Sequence, residues 1–208
     1  MSENHLITAY SVIRNGQFIR NGKSIPVEEG ETLGKTLKAL YRHDEIAYPK
    51  FFKMDAMSKL AFLAAEWLEM ESGFASQYRD EEIGVVMANA SSSLQTDRKY
   101  QKTLGDFPSP GLFVYTLPNI AAGEICIRHK IQGENAFFIS ESFDPEFLYD
   151  YVEGLFLRKK IQACIAGWVE CEEGRYDTFL YFIEKKQNSN SQTGLPHTPK
   201  QLETLYSS

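Results

Sequence analysis

Two serines near the end of an apolar segment have a setting in which nucleophilic chemistry can occur. Ser140 and Ser142 lie in GENAFFISESFDPEF, residues 133–147, which reads as a glycine turn, four apolar residues, a polar corner and the start of a helix. Many α/β enzymes place a nucleophile at such a strand-to-helix corner. Two interpretations of this corner therefore compete: that it is catalytic, and that it is purely structural.

The residues after the serines favour the structural interpretation. Asp144 is a preferred helix N-cap, and Pro145 loses no hydrogen bond at the first helical position. Glu146 places negative charge in the first turn, where the helix dipole favours it. A Ser-His-Asp hydrolase usually carries a GxSxG motif, and ISESF lacks both glycines. On chemistry alone, the support for a nucleophile is weak.

Motifs for a metal or a nucleotide cofactor do not occur in the sequence. There is no HExxH motif, no spaced Cys/His cluster, no GxGxxG and no GxxxxGK[ST]. We therefore predict no metal and no cofactor. His129 follows an apolar helix between two basic residues, and we interpret it as a surface or hydrogen-bonded structural histidine. The remaining histidines are His5, His43 and His197.

The composition is that of an ordinary soluble globular protein. Of the 208 residues, 43% are hydrophobic and 24% are charged, and the net charge of −6 argues against non-specific nucleic-acid binding. No apolar run approaches the ~20 residues of a membrane span, and the N-terminus does not resemble a signal peptide. The odd number of cysteines, in apolar segments, predicts reduced packing residues in a cytoplasmic protein: Cys126, Cys164 and Cys171.

Strands and helices alternate along most of the chain. The apolar spacing predicts a helix over 55–71 capped by Asp55, two helices over 109–131 with the second beginning near Asn119, and a helix over 145–160. The segments LITAYSVI, EIGVVMANA, AFFIS, IQACIAGWVEC and DTFLYFIEK are typical of strands. The alternation alone indicates a largely parallel sheet. We expect one domain over 1–186 and a polar, mobile tail over 187–208.

The order of these segments resembles the N-terminal half of the β-ketoacyl-acyl-carrier-protein synthases, condensing enzymes of the thiolase fold. The resemblance rests on YPKFFKMDAMSKLAFLAAEWL, then VVMANASSSLQTD, then PSPGLFVYTLPNIAAGEICIRHKIQGENAFFISES, and covers residues 48–170. It is closest to divergent, chain-length-factor-like members. It implies a thiolase-like half-fold, a three-layer α/β domain with a mixed sheet.

The resemblance also implies that the catalytic residues are missing. In the active family a cysteine occupies the corner, and that position falls on Ser142 here. Complete synthases have a second half that supplies two histidines, or a histidine and an asparagine, and His197 resembles neither motif. We therefore expect a non-catalytic accessory subunit in fatty-acid or aryl-polyene-type polyketide synthesis. Two alternatives stay open: an acyltransferase or hydrolase that uses Ser142, and a homo-oligomeric acyl- or lipid-binding module.

Two surfaces are predicted to meet partners. In the resembling family the strand corresponding to AFFI pairs across a dimer axis, so the expected interface residues are Ala136, Phe137, Phe138 and Ile139. The expected mate is a full-length synthase or a second copy of the chain. Acyl carrier protein is a candidate partner for the basic cluster Arg158, Lys159 and Lys160, although cations also suit a helix C-terminus.

Overall fold

A mixed β-sheet forms the centre of the molecule in a computed structural model, which describes residues 5–105, 107–172, 174–186 and 194–208. The strands are β1 (His5–Arg14), β2 (Gln17–Arg20), β3 (Lys23–Ser24), β4 (Ile83–Asn89), β5 (Asn135–Ile139), β6 (Ala163–Glu172), β7 (Arg175–Lys185) and β8 (Leu195–Pro196). Their order is β3-β2-β1-β7-β6-β4-β5, and β8 pairs with β1. β4 runs parallel to β5 and β6, whereas the other pairs are antiparallel.

The mixed sheet confirms the fold that the resemblance implied and shows that the expectation of a largely parallel sheet was wrong. Local turns join β1 to β2, β2 to β3 and β6 to β7 in antiparallel pairs, and β1 also pairs antiparallel with the distant β7. Asn15 and Gly16 both have positive φ (31° and 83°) in the turn between β1 and β2, as an Asn-Gly hairpin requires. Gly174, with φ of 83°, lies between β6 and β7.

Helices cover both faces of the sheet. They are α1 (Leu33–His43), α2 (Ala56–Ser72), α3 (Phe74–Gln77), α4 (Leu94–Gln101), α5 (Pro110–Val114), α6 (Ile120–His129), α7 (Pro145–Leu157) and α8 (Pro199–Tyr206), with single 3₁₀ turns at Pro49–Lys53 and Asp80–Glu82. The predicted cap of α2 is confirmed, since Asp55 Oδ1 accepts the Ser58 N–H at 2.8 Å. Gly73 ends that helix in the left-handed conformation. α5 and α6 confirm the two predicted helices around Pro118.

The two faces of the sheet bury different helices, which makes three layers. Val85 and Met87 of β4 pack in the core beneath α2 and α6, whereas Val86 packs in the core beneath α7 and α8. This alternation is the period of two expected for a strand with both faces buried. A three-layer α/β domain, as predicted, is therefore the observed architecture.

The end of the chain differs from the expectation of a mobile tail. Within residues 194–208, β8 extends the sheet and α8 lies against α7, with Leu202 and Leu205 buried. These leucines lie three residues apart, which gives α8 one apolar face in an otherwise polar segment. Residues 187–193, which belong to the same predicted tail, lie outside the described residues.

Candidate functional site: the corner after β5

The corner with the two serines lies at the carboxyl end of the parallel strands. β4, β5 and β6 all end on this side, and the chain between β5 and α7 crosses it. In open α/β sheets a crevice at this edge is the usual place for a ligand. The sequence-based placement of Ser142 at a strand-to-helix corner is therefore confirmed.

Ser142 borders a cleft of about 470 Å³. Aromatic and acidic side chains dominate its walls, with one basic side chain at its rim. The lining residues are Asn15, Ala90, Ser91, Glu141, Ser142, Phe143, Trp168, Glu170, Glu172, Arg175, Tyr176, Asp177 and Tyr206. The cleft is thus large enough for a small ligand, and its charge disfavours an anionic one.

The N-terminus of α7 is capped by the protein's own carboxylate. Asp144 Oδ1 accepts the backbone N–H of Phe147 at 2.9 Å, which confirms Asp144 as the predicted N-cap. Pro145, at the first helical position, has no N–H to donate. A thiolate or an oxyanion at this corner would meet a neighbouring carboxylate and fewer backbone donors than an ordinary helix start presents.

The histidines of the chain contact carboxylates and not Ser142. His43 Nδ1 lies 3.1 Å from Asp44 Oδ1, and His129 Nε2 lies 3.0 Å from Glu66 Oε1. The other two, His5 and His197, share one glutamate on α7 and are described next. Within the described part of the chain, the Ser142 hydroxyl makes no hydrogen bond, so no base activates it there.

His5 and His197 meet at Glu153, in the middle of α7. His5 Nδ1 lies 2.8 Å from Glu153 Oε2, and His197 Nδ1 lies 2.8 Å from Glu153 Oε1. His197 is buried, and its Nε2 lies 3.4 Å from the hydroxyl of Tyr181. The two imidazoles hold the pKa of Glu153 at about 2 despite its partial burial, whereas burial lowers the pKa of His197. The sequence did not reveal this cluster, because its members are far apart along the chain.

Glu170 fills a second donor site beside the corner. Its Oε2 accepts the N–H groups of Ala90 and Ser91 at 2.8 and 3.0 Å, where the chain leaves β4. Those two donors would otherwise offer an anion site at the edge of the cleft. The sequence carried no signal for this role, since Glu170 reads as a polar residue at the end of a strand.

The cysteines do not replace the missing nucleophile. Cys164 and Cys171 are buried on β6, and Cys126 is partly buried on α6. Burial raises the pKa of Cys126 to about 11 and that of Cys171 to about 12. These thiols are therefore protonated at neutral pH and unreactive.

Comparison with known proteins finds similar folds in ketosynthase structures. The ishigamide ketosynthase/chain length factor structure matches with a TM-score of 0.66 at 16% identity, over 90% of this chain and 63% of that chain. A ketosynthase (ApeO) in complex with its chain length factor (ApeC) from Xenorhabdus doucetiae matches with a TM-score of 0.58 at 14% identity, over 98% and 90%. A type II polyketide synthase acyl-carrier protein in complex with its ketosynthase, AntDE:AntF, matches with a TM-score of 0.62 at 10% identity, over 88% and 62%.

The chain has the thiolase-like fold of the ketosynthases. It spans less than two thirds of the matched chains in the first and third of these structures and most of the matched chain in the second. No family model and no curated protein matches the sequence.

In this ketosynthase-like fold, β5 is the edge strand of the sheet. Among the described strands, β4 alone pairs with it. Phe137 packs toward the α2 side and Phe138 toward the α7 side, where its ring lies 4.8 Å from those of Phe147 and Tyr151. Ile139 is 56% exposed. The four residues expected at an interface therefore form a strand with one free edge and a partly apolar surface.

The basic cluster follows α7 directly. The N–H of Arg158 donates to Gly154 O at 3.2 Å, and that of Lys160 donates to Leu155 O at 3.0 Å, so the cluster ends the helix. The Lys160 ammonium lies 3.4 Å from Glu134, while the side chains of Arg158 and Lys159 are exposed. The cluster thus satisfies the helix C-terminus and still presents two cations to solvent.

In the part of the chain that the structure describes, no helix is long and apolar enough to span a membrane. Likewise, the described residues contain no group of three or more His, Cys, Asp or Glu side chains arranged to hold a metal ion.

Proposed function

We propose that this protein is a non-catalytic, synthase-like accessory subunit that pairs with a ketosynthase in fatty-acid or polyketide assembly, the aryl-polyene type included. The observation that supports the proposal is the corner after β5, where the resemblance implies an active-site cysteine and the structure has Ser142 without a hydrogen-bonded base among the described residues. Ser142 stands where the resembling family has cysteine, and Asp144 caps the helix behind it.

The corner is poorly suited to turnover for two physical reasons. An alcohol needs a neighbouring base to become a useful nucleophile, and the histidines of this chain contact Asp44, Glu66 and Glu153 instead. A tetrahedral oxyanion needs donors aimed at it, and Asp144 and Glu170 already accept the N–H groups of Phe147, Ala90 and Ser91 beside the corner.

The edge strand β5 supports pairing with another chain. An exposed strand edge with apolar side chains readily adds a strand from a second protein, which satisfies its free N–H and C=O groups. The comparison structures include a ketosynthase with its chain length factor, which makes a ketosynthase the preferred mate here. The matched structure that contains an acyl-carrier protein similarly motivates a docking role for Arg158, Lys159 and Lys160.

The proposal is tested by reconstituting condensation from purified parts. A ketosynthase from the same organism is assayed with acyl- and malonyl-carrier-protein substrates, alone and with this protein, while this protein is also assayed alone. We expect no C–C bond formation by this protein alone and a change in product length or rate when it is added. Turnover by this protein alone that is abolished in Ser142→Ala would instead establish the acyltransferase or hydrolase alternative.

The pairing is tested by light scattering of the co-expressed proteins. Ile139→Asp should dissociate the complex, because it places a charge on the free edge of β5 at little cost to the fold. Leu157→Asp is the matched control, since Leu157 is 83% exposed at the end of α7. A stable homodimer that ignores the ketosynthase would favour the homo-oligomeric module, and a persistent monomer would contradict both.

Carrier-protein docking is tested separately, because it can fail while the pairing stands. Reversing Arg158 and Lys159 to glutamate should weaken binding of the acidic carrier protein and reduce its salt dependence. The matched control reverses Lys23 and Lys102 to glutamate, because both lysines are exposed elsewhere on the surface. Equal binding by both double variants would leave the cluster with its helix-terminating role alone.

A further inference from the structure

The C-terminal segment contacts the corner after β5. The ring of Tyr206, the last residue of α8, stacks on the ring of Phe143 with centroids 4.2 Å apart and planes 21° apart. Phe143 is the residue next to Ser142, and its ring also meets Phe179 edge-on at 5.6 Å. Tyr206 and Phe143 both line the cleft. One wall of the cleft is therefore supplied by the end of the described chain.

A polar cluster fixes Tyr206 in this position. Its hydroxyl donates to Asp177 Oδ2 at 2.5 Å, and its carbonyl oxygen accepts from Arg14 Nη1 at 2.7 Å. The Arg14 guanidinium carbon also lies 4.4 Å from the centre of the Tyr206 ring, and Arg14 Nε donates to Asp177 Oδ1 at 2.7 Å. Two strands, β1 and β7, thus hold the end of α8 through one arginine and one aspartate.

The start of the same segment has its own attachment. β8 pairs with β1 through Leu195 and Pro196, and the N–H of His197 donates to His5 O at 3.2 Å. The His197 side chain is bound to Glu153 of α7, as described above. Between the two attachments, Leu202 and Leu205 are buried against the sheet and α7. Residues 194–208 therefore lie across one face of the fold, attached at both ends.

We propose that residues 194–208 act as a strap whose docked position holds the corner 140–144 in place and closes one wall of the cleft. Of the strap residues, Tyr206 makes the ring contact with the corner, so undocking its ring removes the support of Phe143 on that side. The result is a wider cleft and a more mobile corner, while β4 and β6 stay intact. The proposal does not depend on whether the cleft is catalytic or on the identity of the partner.

The test uses hydrogen–deuterium exchange and acrylamide quenching on the full chain. Tyr206→Ala should raise amide exchange in 140–147 about tenfold, a change typical of a local opening, while exchange in β4 and β6 is unchanged. Trp168 lines the cleft, whereas Trp67 belongs to α2 and is fully buried, so increased quenching reports on the cleft. Glu203→Gln, an exposed change on the same helix, is the matched control and should alter neither readout.

A second variant keeps the result interpretable if Tyr206→Ala unfolds the protein. Tyr206→Phe retains the ring stack on Phe143 and loses the bond to Asp177, so exchange in the strap and the corner should rise about twofold, with β4 and β6 at their wild-type rates. If Tyr206→Ala is folded, a wild-type exchange rate at its corner overturns the proposal. If Tyr206→Ala is unfolded, a wild-type exchange rate at the corner of Tyr206→Phe overturns it. It is equally overturned if the strap loosens while the corner and the quenching of Trp168 do not change.

Discussion

Two polar sites on α7 are built in opposite ways. The corner at its N-terminus is exposed, borders a cleft and leaves the Ser142 hydroxyl without a partner among the described residues. The cluster in the middle of the helix joins Glu153 to two histidines and places His197 out of contact with water. A serine nucleophile needs a base, most often a histidine, and in this molecule two histidines bind Glu153 instead. Resemblance to an enzyme therefore has to be judged by where the bases lie and what they contact.

The largest expected effect comes from removing the carboxylate of the buried cluster. Glu153→Ala should lower the free energy of unfolding by about 2 kcal/mol, because two imidazoles lose their shared acceptor in a partly buried site. Chemical denaturation followed by circular dichroism measures the change. Glu146→Ala, an exposed carboxylate on the same helix, is the control and should cost much less. Equal losses in both variants would show that the cluster has no special role in stability.

Acid should weaken the fold through the same cluster. Burial lowers the pKa of His197 in the folded state, so below about pH 6.5 the unfolded chain takes up the proton more readily. The free energy of unfolding should then fall as the pH falls, by at most about 1.4 kcal/mol per pH unit for one proton. Glu153, with its pKa near 2, adds a further loss as the pH falls below about 4.5.

The histidine contribution is isolated by His197→Asn. This variant keeps a side-chain N–H donor for Glu153, and the asparagine side chain that replaces the imidazole does not titrate. Its stability should change less than that of the wild type between pH 7 and 5. A wild-type slope in the variant would assign the acid sensitivity to another residue.

At the corner, removing the cap should have a smaller effect. Asp144→Ala should cost about 1 kcal/mol, the typical contribution of an N-cap, because the Phe147 N–H loses its acceptor. Asp144→Asn retains a capping oxygen and should recover most of the stability. Thermal unfolding of the three proteins distinguishes these values, and a loss as large as that of Glu153→Ala would contradict the proposed difference between the two sites.

The smallest structural effect is expected from placing at Ser142 the cysteine that the resembling family has at this corner. Ser142→Cys should change stability by less than about 0.5 kcal/mol, since the side chain is exposed. Its thiol should titrate near the ordinary pKa of about 8.5, because Asp144 occupies the helix N-terminus. The pH dependence of alkylation measures the pKa of the new thiol. The native cysteines should contribute little alkylation, because burial raises their pKa.

The double variant Ser142→Cys with Asp144→Ala tests whether the carboxylate keeps the pKa of the thiol at its ordinary value. Removing the carboxylate should lower the pKa of the new thiol relative to the single variant. A single variant that already titrates well below pH 7 would show that the corner activates a nucleophile as it stands.

Local patterns in the sequence were sufficient for many of the individual helices, caps and corners. The apolar spacing of α2, its cap at Asp55 and the corner with Asp144 are all short-range features. Each depends on residues within a few positions of one another, where the hydrogen bonding and the periodicity can be read directly. The position of Ser142 at the end of β5 followed in the same way from the segment itself.

The surroundings of that serine could be seen only in the tertiary structure, because they depend on contacts between distant parts of the chain. Glu153 binds His5 and His197 across separations of 148 and 44 residues, and Tyr206 reaches Phe143 from the far end of the chain. No local pattern marks such pairs, because each partner alone reads as an ordinary polar or aromatic residue. The end of the chain was expected to be mobile for the same reason: the burial of Leu202 depends on the face formed by β1, β7 and α7, which exists only once the sheet has assembled.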